Sequence, residues 1–151
     1  MSLHSRSVAC THAIAQKLAQ LLKPGDVLLL LGDMGAGKSE FTRGLARGLG
    51  VQGPVTSPTF TILQVHEDGR LPLYHFDWYR LNDVEELYEL SMDEYLHGDG
   101  VAVVEWPSRA PEAVPDCRLE IALTPVGDDE RFITLTPMGG FRPIDESHLL
   151  P

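Results

Sequence analysis

The chain has little positive charge and almost no cysteine. Its only lysines are Lys17, Lys23 and Lys38, and its only cysteines are Cys10 and Cys117. Two cysteines cannot make a disulfide framework, and a reducing compartment fits them. Lysine and arginine together number 12 against 22 acids, a formal net charge of −10. Non-specific binding to RNA or DNA rests on cations that neutralise phosphates. This composition therefore argues against a protein that grips nucleic acid by itself. No apolar run approaches the roughly 20 residues of a membrane-spanning helix. The start, MSLHSRSVACTH, lacks the apolar core of a signal peptide. A cytoplasmic protein without membrane contact is expected. There are no internal repeats and no low-complexity segments.

What is present is ordinary for a globular domain, with 43% apolar residues in a chain of 151. A chain of this length buries about 70% of its unfolded surface, enough for a real core. Apolar residues at Val8, Ile14, Leu18, Leu21 and Leu22 predict a first helix ending near Lys23-Pro24-Gly25. Val27 to Leu31 reads as a short strand buried on both faces. A helix over Lys38 to Leu49 follows, with Gly50 as its C-cap. Gly44 and Gly48 lie inside it, where each costs about 1 kcal/mol against alanine, so close helix packing is their expected reason. Thr61–His66 with Leu71–Phe76, and Arg118–Leu123 with Phe132–Leu135, read as two hairpins. An acidic helical stretch is expected over Asp83 to Leu96, then a second buried strand over Val101 to Val104. The order predicts an α/β protein with a mixed sheet, a parallel core with antiparallel hairpins. One domain is expected over 1–136, with a tail over 137–151 that shows no strong period and is free to flex.

The stretch Gly32-Asp-Met-Gly-Ala-Gly-Lys-Ser39 fits the phosphate-loop pattern G-x-x-x-x-G-K-[ST], placed between a buried strand and a helix. Glycines let successive backbone N–H groups turn inward around a phosphate chain. The helix N-terminus adds its positive end. Lys38 supplies a point charge for the outer phosphates, and Ser39 a hydroxyl for Mg²⁺. Guanine-specific GTPases carry an Asn/Thr-Lys-x-Asp segment late in the chain. No lysine follows Lys38, which leaves ATP.

Such a site needs an acid at the end of a neighbouring strand. Glu105 in VAVVEWPSR and Asp77 in LYHFDWYR both qualify. Glu105 is expected to organise Mg²⁺, and Asp77 to position the attacking water or a switch loop. Trp78 and Trp106 each follow one of these acids, and either covers the sheet or contacts the nucleotide. VTSPTF, Val55 to Phe60, is either an ordinary connection or a loop that senses the outermost phosphate.

GDMGAGKSEFTRG, VTSPTF, HFDWYRL and VEWPSR, in this order and spacing, resemble the TsaE family, also called YjeE. These are small bacterial P-loop ATPases of tRNA threonylcarbamoyladenosine biosynthesis. The likeness runs from Val8 to Thr136. The chain departs from it at Met34 and Ser39, where Leu and Thr are usual, at Trp78 in place of Leu, and at Ser91 in place of Gly. The resemblance implies a P-loop NTPase-like fold that binds ATP and Mg²⁺. By position it places the nucleotide against Asp33, Met34, Gly35, Ala36, Gly37, Lys38, Ser39, Glu40, Thr59 and Trp106. It places the metal at Ser39, Asp77 and Glu105, and catalysis at Lys38, Asp77 and Glu105. It implies partners of the TsaB and TsaD type, which modify the adenosine beside the anticodon, with tRNA reached only through that complex. From the residues themselves two other functions stay open: a small-molecule P-loop kinase, and a nucleotide-sensing adaptor that is not an enzyme. The later arginines are scattered and form no lid-like cluster, which counts against the kinase.

Overall fold

The computed structural model describes residues 2–58 and 60–150. Its elements in chain order are β1 (Ser2–Ser5), α1 (Val8–Ala19), β2 (Val27–Leu31), α2 (Lys38–Leu49), β3 (Leu63–His66), β4 (Leu73–Asp77), α3 (Glu85–Glu89), α4 (Met92–Leu96), β5 (Val101–Glu105), β6 (Arg118–Pro125) and β7 (Arg131–Met138). The seven strands form one sheet in the order β1-β7-β6-β2-β5-β4-β3. β6, β2, β5 and β4 run parallel. The two hairpins and β1 add antiparallel strands at the edges.

The apolar runs of β2 and β5 are continuous because both faces of the sheet are covered there. Leu28, Leu30, Leu73, Val101 and Val103 pack with Ile14 and Leu18 of α1 and Phe41, Leu45 and Leu49 of α2. Val27, Leu29, Phe76, Trp78, Ala102 and Val104 pack on the other side with Leu87, Met92 and Leu96 of α3 and α4. β6 instead alternates, with Leu119, Ile121 and Leu123 buried and its other side chains at least partly exposed, as a strand covered on one face should.

α1 and α2 pack face to face on small residues. A Cβ on Gly44 would lie 2.7 Å from Ala15 Cβ, and one on Gly48 would lie 2.6 Å from both Ala19 Cβ and the Gln16 carbonyl. The two in-helix glycines are therefore the contact surface. α1 ends at Ala19, short of the expected Lys23, and the chain continues in turns bonded back to Lys17, Leu18 and Ala19. The acidic stretch expected as one helix is two short ones. The break is at Ser91, whose backbone is left-handed at φ 56°, a conformation an α-helix cannot continue through. β1 was not legible: with Leu3 the one apolar residue of its four, it is defined by pairing with β7, not by its own pattern.

Beyond β7 the chain folds back onto the core. Phe141 and Leu149 are buried with α1 and β2. The Arg142 guanidinium pairs bidentately with Asp26, at 2.9 Å and 2.7 Å, and also donates to the Leu21 carbonyl. The Asp26 carboxylate holds the guanidinium pKa above its already high ordinary value.

Candidate functional site

The carboxyl ends of the parallel strands meet on one edge of the sheet, where α/β folds open their crevices. β2 delivers the glycine loop there, β5 delivers Glu105 and β4 delivers Asp77, which lies directly across from Glu105 in the register. Between them is a cavity of about 540 Å³. Of the residues expected at a nucleotide, Met34, Gly35, Gly37, Lys38, Ser39, Glu40, Asp77, Glu105 and Trp106 line it. Asp33 lines a smaller neighbouring hollow with Lys38 and Trp106. Ala36 turns its methyl into the core and offers only backbone. Thr59 lies outside the described residues.

The loop needs its glycines. Gly35 and Gly37 have φ of 83° and 102°, values that L side chains rarely adopt. Gly37 then opens α2, with Lys38 and Ser39 in its first turn. Lys38 is buried, and its Nζ donates to the Gly32 carbonyl at 2.8 Å. It also sits 3.7 Å from the centre of the Trp106 ring. Burial pushes its pKa below the ordinary lysine value, and Glu105, Asp77 and Asp33 only partly oppose this. Trp106 reaches it from a left-handed backbone at φ 58°, a conformation that costs a bulky residue of order 1 kcal/mol or more. Trp78 is instead fully buried in the core behind the sheet.

The two acids are buried at 4% exposure each. Asp77 accepts the Tyr79 backbone N–H at 2.9 Å and the Ser57 hydroxyl at 3.4 Å, which ties it to the VTSPTF loop. Glu105 accepts from His75 Nε2 at 2.6 Å. Glu40 is held by His12 and Arg43.

Several residues of the site were missed in the sequence. Tyr79, Arg80 and Arg131 line the cavity, as does Ser57 of the VTSPTF loop that the sequence placed beside the phosphates. Tyr79 and Arg80 follow Asp77 closely, and that adjacency was the available signal. Arg131 carried none: it comes from β7, far along the chain. Its Nε donates to the Ala36 carbonyl at 2.7 Å and its Nη2 to the Gly35 carbonyl at 3.3 Å. Nη1 donates to carbonyls of the β6–β7 turn. One guanidinium thus clamps the glycine loop to a remote hairpin.

The donor set fits a phosphate chain and a hard cation. Lysine, loop amides and a helix N-terminus favour phosphate. A hydroxyl and carboxylates favour Mg²⁺ over softer metals. Among the described residues no group of three or more His, Cys, Asp or Glu gathers.

The sheet order, the strand–glycine loop–helix and the acids at adjacent strand ends define a protein of the P-loop NTPase-like fold. The family model described as "Threonylcarbamoyl adenosine biosynthesis protein TsaE" matches residues 5–133. The tRNA threonylcarbamoyladenosine biosynthesis protein TsaE of Bacillus subtilis is 54% identical over 129 residues, 85% of this chain and 80% of that protein. The TsaE of Treponema pallidum is 42% identical over 131 residues, 87% of this chain and 96% of its own. The crystal structure of Bacillus subtilis YdiB superposes with a TM-score of 0.80 at 46% identity, covering 92% of this chain and 86% of that one. The chain belongs to the TsaE family.

Proposed function

We propose that this protein is a cytoplasmic, Mg²⁺-dependent ATPase that supports the threonylcarbamoyladenosine modification of tRNA by driving cycles of a TsaB–TsaD-type complex. The observation that carries the reading is the convergence of Lys38, Ser39, Asp77 and Glu105 on one cavity, in a chain of the TsaE family. Mg²⁺, when bound, supplies charge neutralisation at the outer phosphates; Ser39 and one or both acids would hold it. Lys38 would leave the Gly32 carbonyl for the phosphates. Asp77, tied to Ser57, would relate the phosphate end of the site to the VTSPTF loop, and Glu105 would orient the hydrated cation. The net charge of −10 supports a protein partner as the reader of the nucleotide state, with tRNA reached indirectly.

The test is ATP hydrolysis by the wild type and Lys38→Ala, each with and without a TsaB–TsaD pair. The expected result is slow turnover alone, faster turnover with the pair, and no turnover for Lys38→Ala. Undiminished hydrolysis by Lys38→Ala, or no nucleotide-dependent association with the pair, would overturn the proposal.

A further inference from the structure

We propose that His75 is a positioning residue, which from inside the sheet holds Glu105 in the rotamer that offers its second oxygen to the cavity. The inference rests on the ATPase reading above for its kinetic consequence, but not for its geometry.

β4 and β5 are parallel, with His75 beside Val103 and Asp77 beside Glu105. Side chains alternate along a strand, so His75 and Asp77 share the sheet face that carries Leu73, Val103 and Glu105 under α1 and α2. His75 therefore reaches Glu105 diagonally, one step back from the strand ends. The bond is 2.6 Å, and the two side chains are 1% and 5% exposed. A carboxylate oxygen only accepts, so Nε2 carries the proton and donates. The other ring nitrogen, Nδ1, is buried and has no hydrogen-bond partner among the described residues. Among the described residues the ring is thus fixed through Nε2 alone.

The consequence falls on Glu105. With Oε2 tied from behind, its rotation is arrested and only Oε1 is left for the cavity. Removing a partner that orients a metal-site ligand from behind typically costs about 10–100-fold in metal affinity or activity. The segment His75-Phe76-Asp77 thus holds one acid of the site and the brace for the other. Phe76 between them faces the opposite core.

A histidine that only filled the core would affect folding and nothing else. The experiment separates the two roles with His75→Leu, His75→Gln and His75→Asn in the full chain. Lys38→Ala serves as the reference for the ATPase reading. Hydrolysis kinetics, Mg²⁺-free ADP affinity, thermal melting and a long-range ¹H–¹⁵N spectrum of the histidine rings are measured. The spectrum is expected to show a proton on Nε2. His75→Leu should lose about tenfold or more in kcat while ADP affinity changes by no more than about twofold. The glutamine amide nitrogen stands near the place of Nε2 and the asparagine nitrogen near that of Nδ1, so Gln should restore most of kcat and Asn should not. Wild-type kcat in His75→Leu, equal rescue by Asn and Gln, or an Nε2 that carries no proton would overturn the proposal. If His75→Leu does not fold, the Gln–Asn comparison and the ring spectrum decide. If the wild type hydrolyses no more ATP than Lys38→Ala, the ATPase reading falls, and the ring spectrum still decides the His75–Glu105 bond.

Discussion

At the scale of single residues, the site depends on groups that reach it from far along the chain. Arg131 uses Nε and Nη2 on two carbonyls of the glycine loop and Nη1 on its own turn. One guanidinium thus fixes the backbone of the glycine loop at the wall of the cavity. Arg131→Ala should therefore weaken Mg²⁺-ATP binding by about tenfold, the scale of one hydrogen bond to a charged group, with little change in melting temperature. Calorimetric titration of the variant checks this, and wild-type affinity would remove Arg131 from the site. His66 gives a different prediction. Burial, joined by the neighbouring His75, holds its pKa below the ordinary 6.5, and its Nε2 is buried without a partner among the described residues. The folded ring resists a proton that the unfolded chain accepts, so acidification favours unfolding. The contribution of His66 is complete above pH 6.5 and is lost as pH falls through the folded value. Melting temperature should decline over that range, and less steeply in His66→Gln; parallel curves would refute it.

At the scale of elements, the α1–α2 contact is the clearest case of residue choice set by packing. Gly44→Ala or Gly48→Ala would gain about 1 kcal/mol of helix propensity. Each new methyl, however, would lie within 2.9 Å of both a methyl and a backbone carbonyl of α1. Overpacking of this kind costs typically 1–3 kcal/mol, and backbone cannot move aside as a side chain can. Net destabilisation is expected, larger for Gly48, whose contacts are both 2.6 Å. Denaturant unfolding of the two variants measures it. This element was legible because glycines inside an amphipathic helix imply close approach. β2, α2, β5 and both hairpins were legible for similar reasons: period, glycine punctuation, and two-sided burial that shows as an unbroken apolar run. Ser91 was not, since its left-handed backbone splits a stretch whose composition is helical throughout. Nor was β1, which exists only through its partner. In the site, Lys38, Ser39, Asp77 and Glu105 were legible because they sit at strand ends or in the loop. His75 and Arg131 were not, because their roles come from register and from a distant hairpin.

At the scale of the whole molecule, the last dozen described residues are anchored to the core by a few side chains. Phe141 and Leu149 are buried at 7% and 0% exposure, and Arg142 is locked to Asp26. Burial of a large apolar side chain is worth about 1.5–3 kcal/mol, and ordering the segment offsets part of that. Truncation after Met138 should lower stability by about 2 kcal/mol or more, read as a shift in the denaturation midpoint. A truncated chain as stable as the full one would mean that the segment only covers the surface.

The position of β2 in the sheet also bears on how the protein is made. Its phosphate loop leaves the ribosome before either neighbour of β2, because β2 is flanked by β5 and β6, and Arg131 follows later still. Leu28 pairs with Leu119, so β6 must be synthesised before the first strand of the site has both neighbours. Contacts this distant in sequence form slowly. A nascent chain stalled before residue 118 carries every residue of the glycine-loop motif and both acids, and still lacks the strand and the clamp that hold the loop in shape. The shape of the glycine loop is thus completed only after β6 and β7 have been made, although the motif itself precedes them.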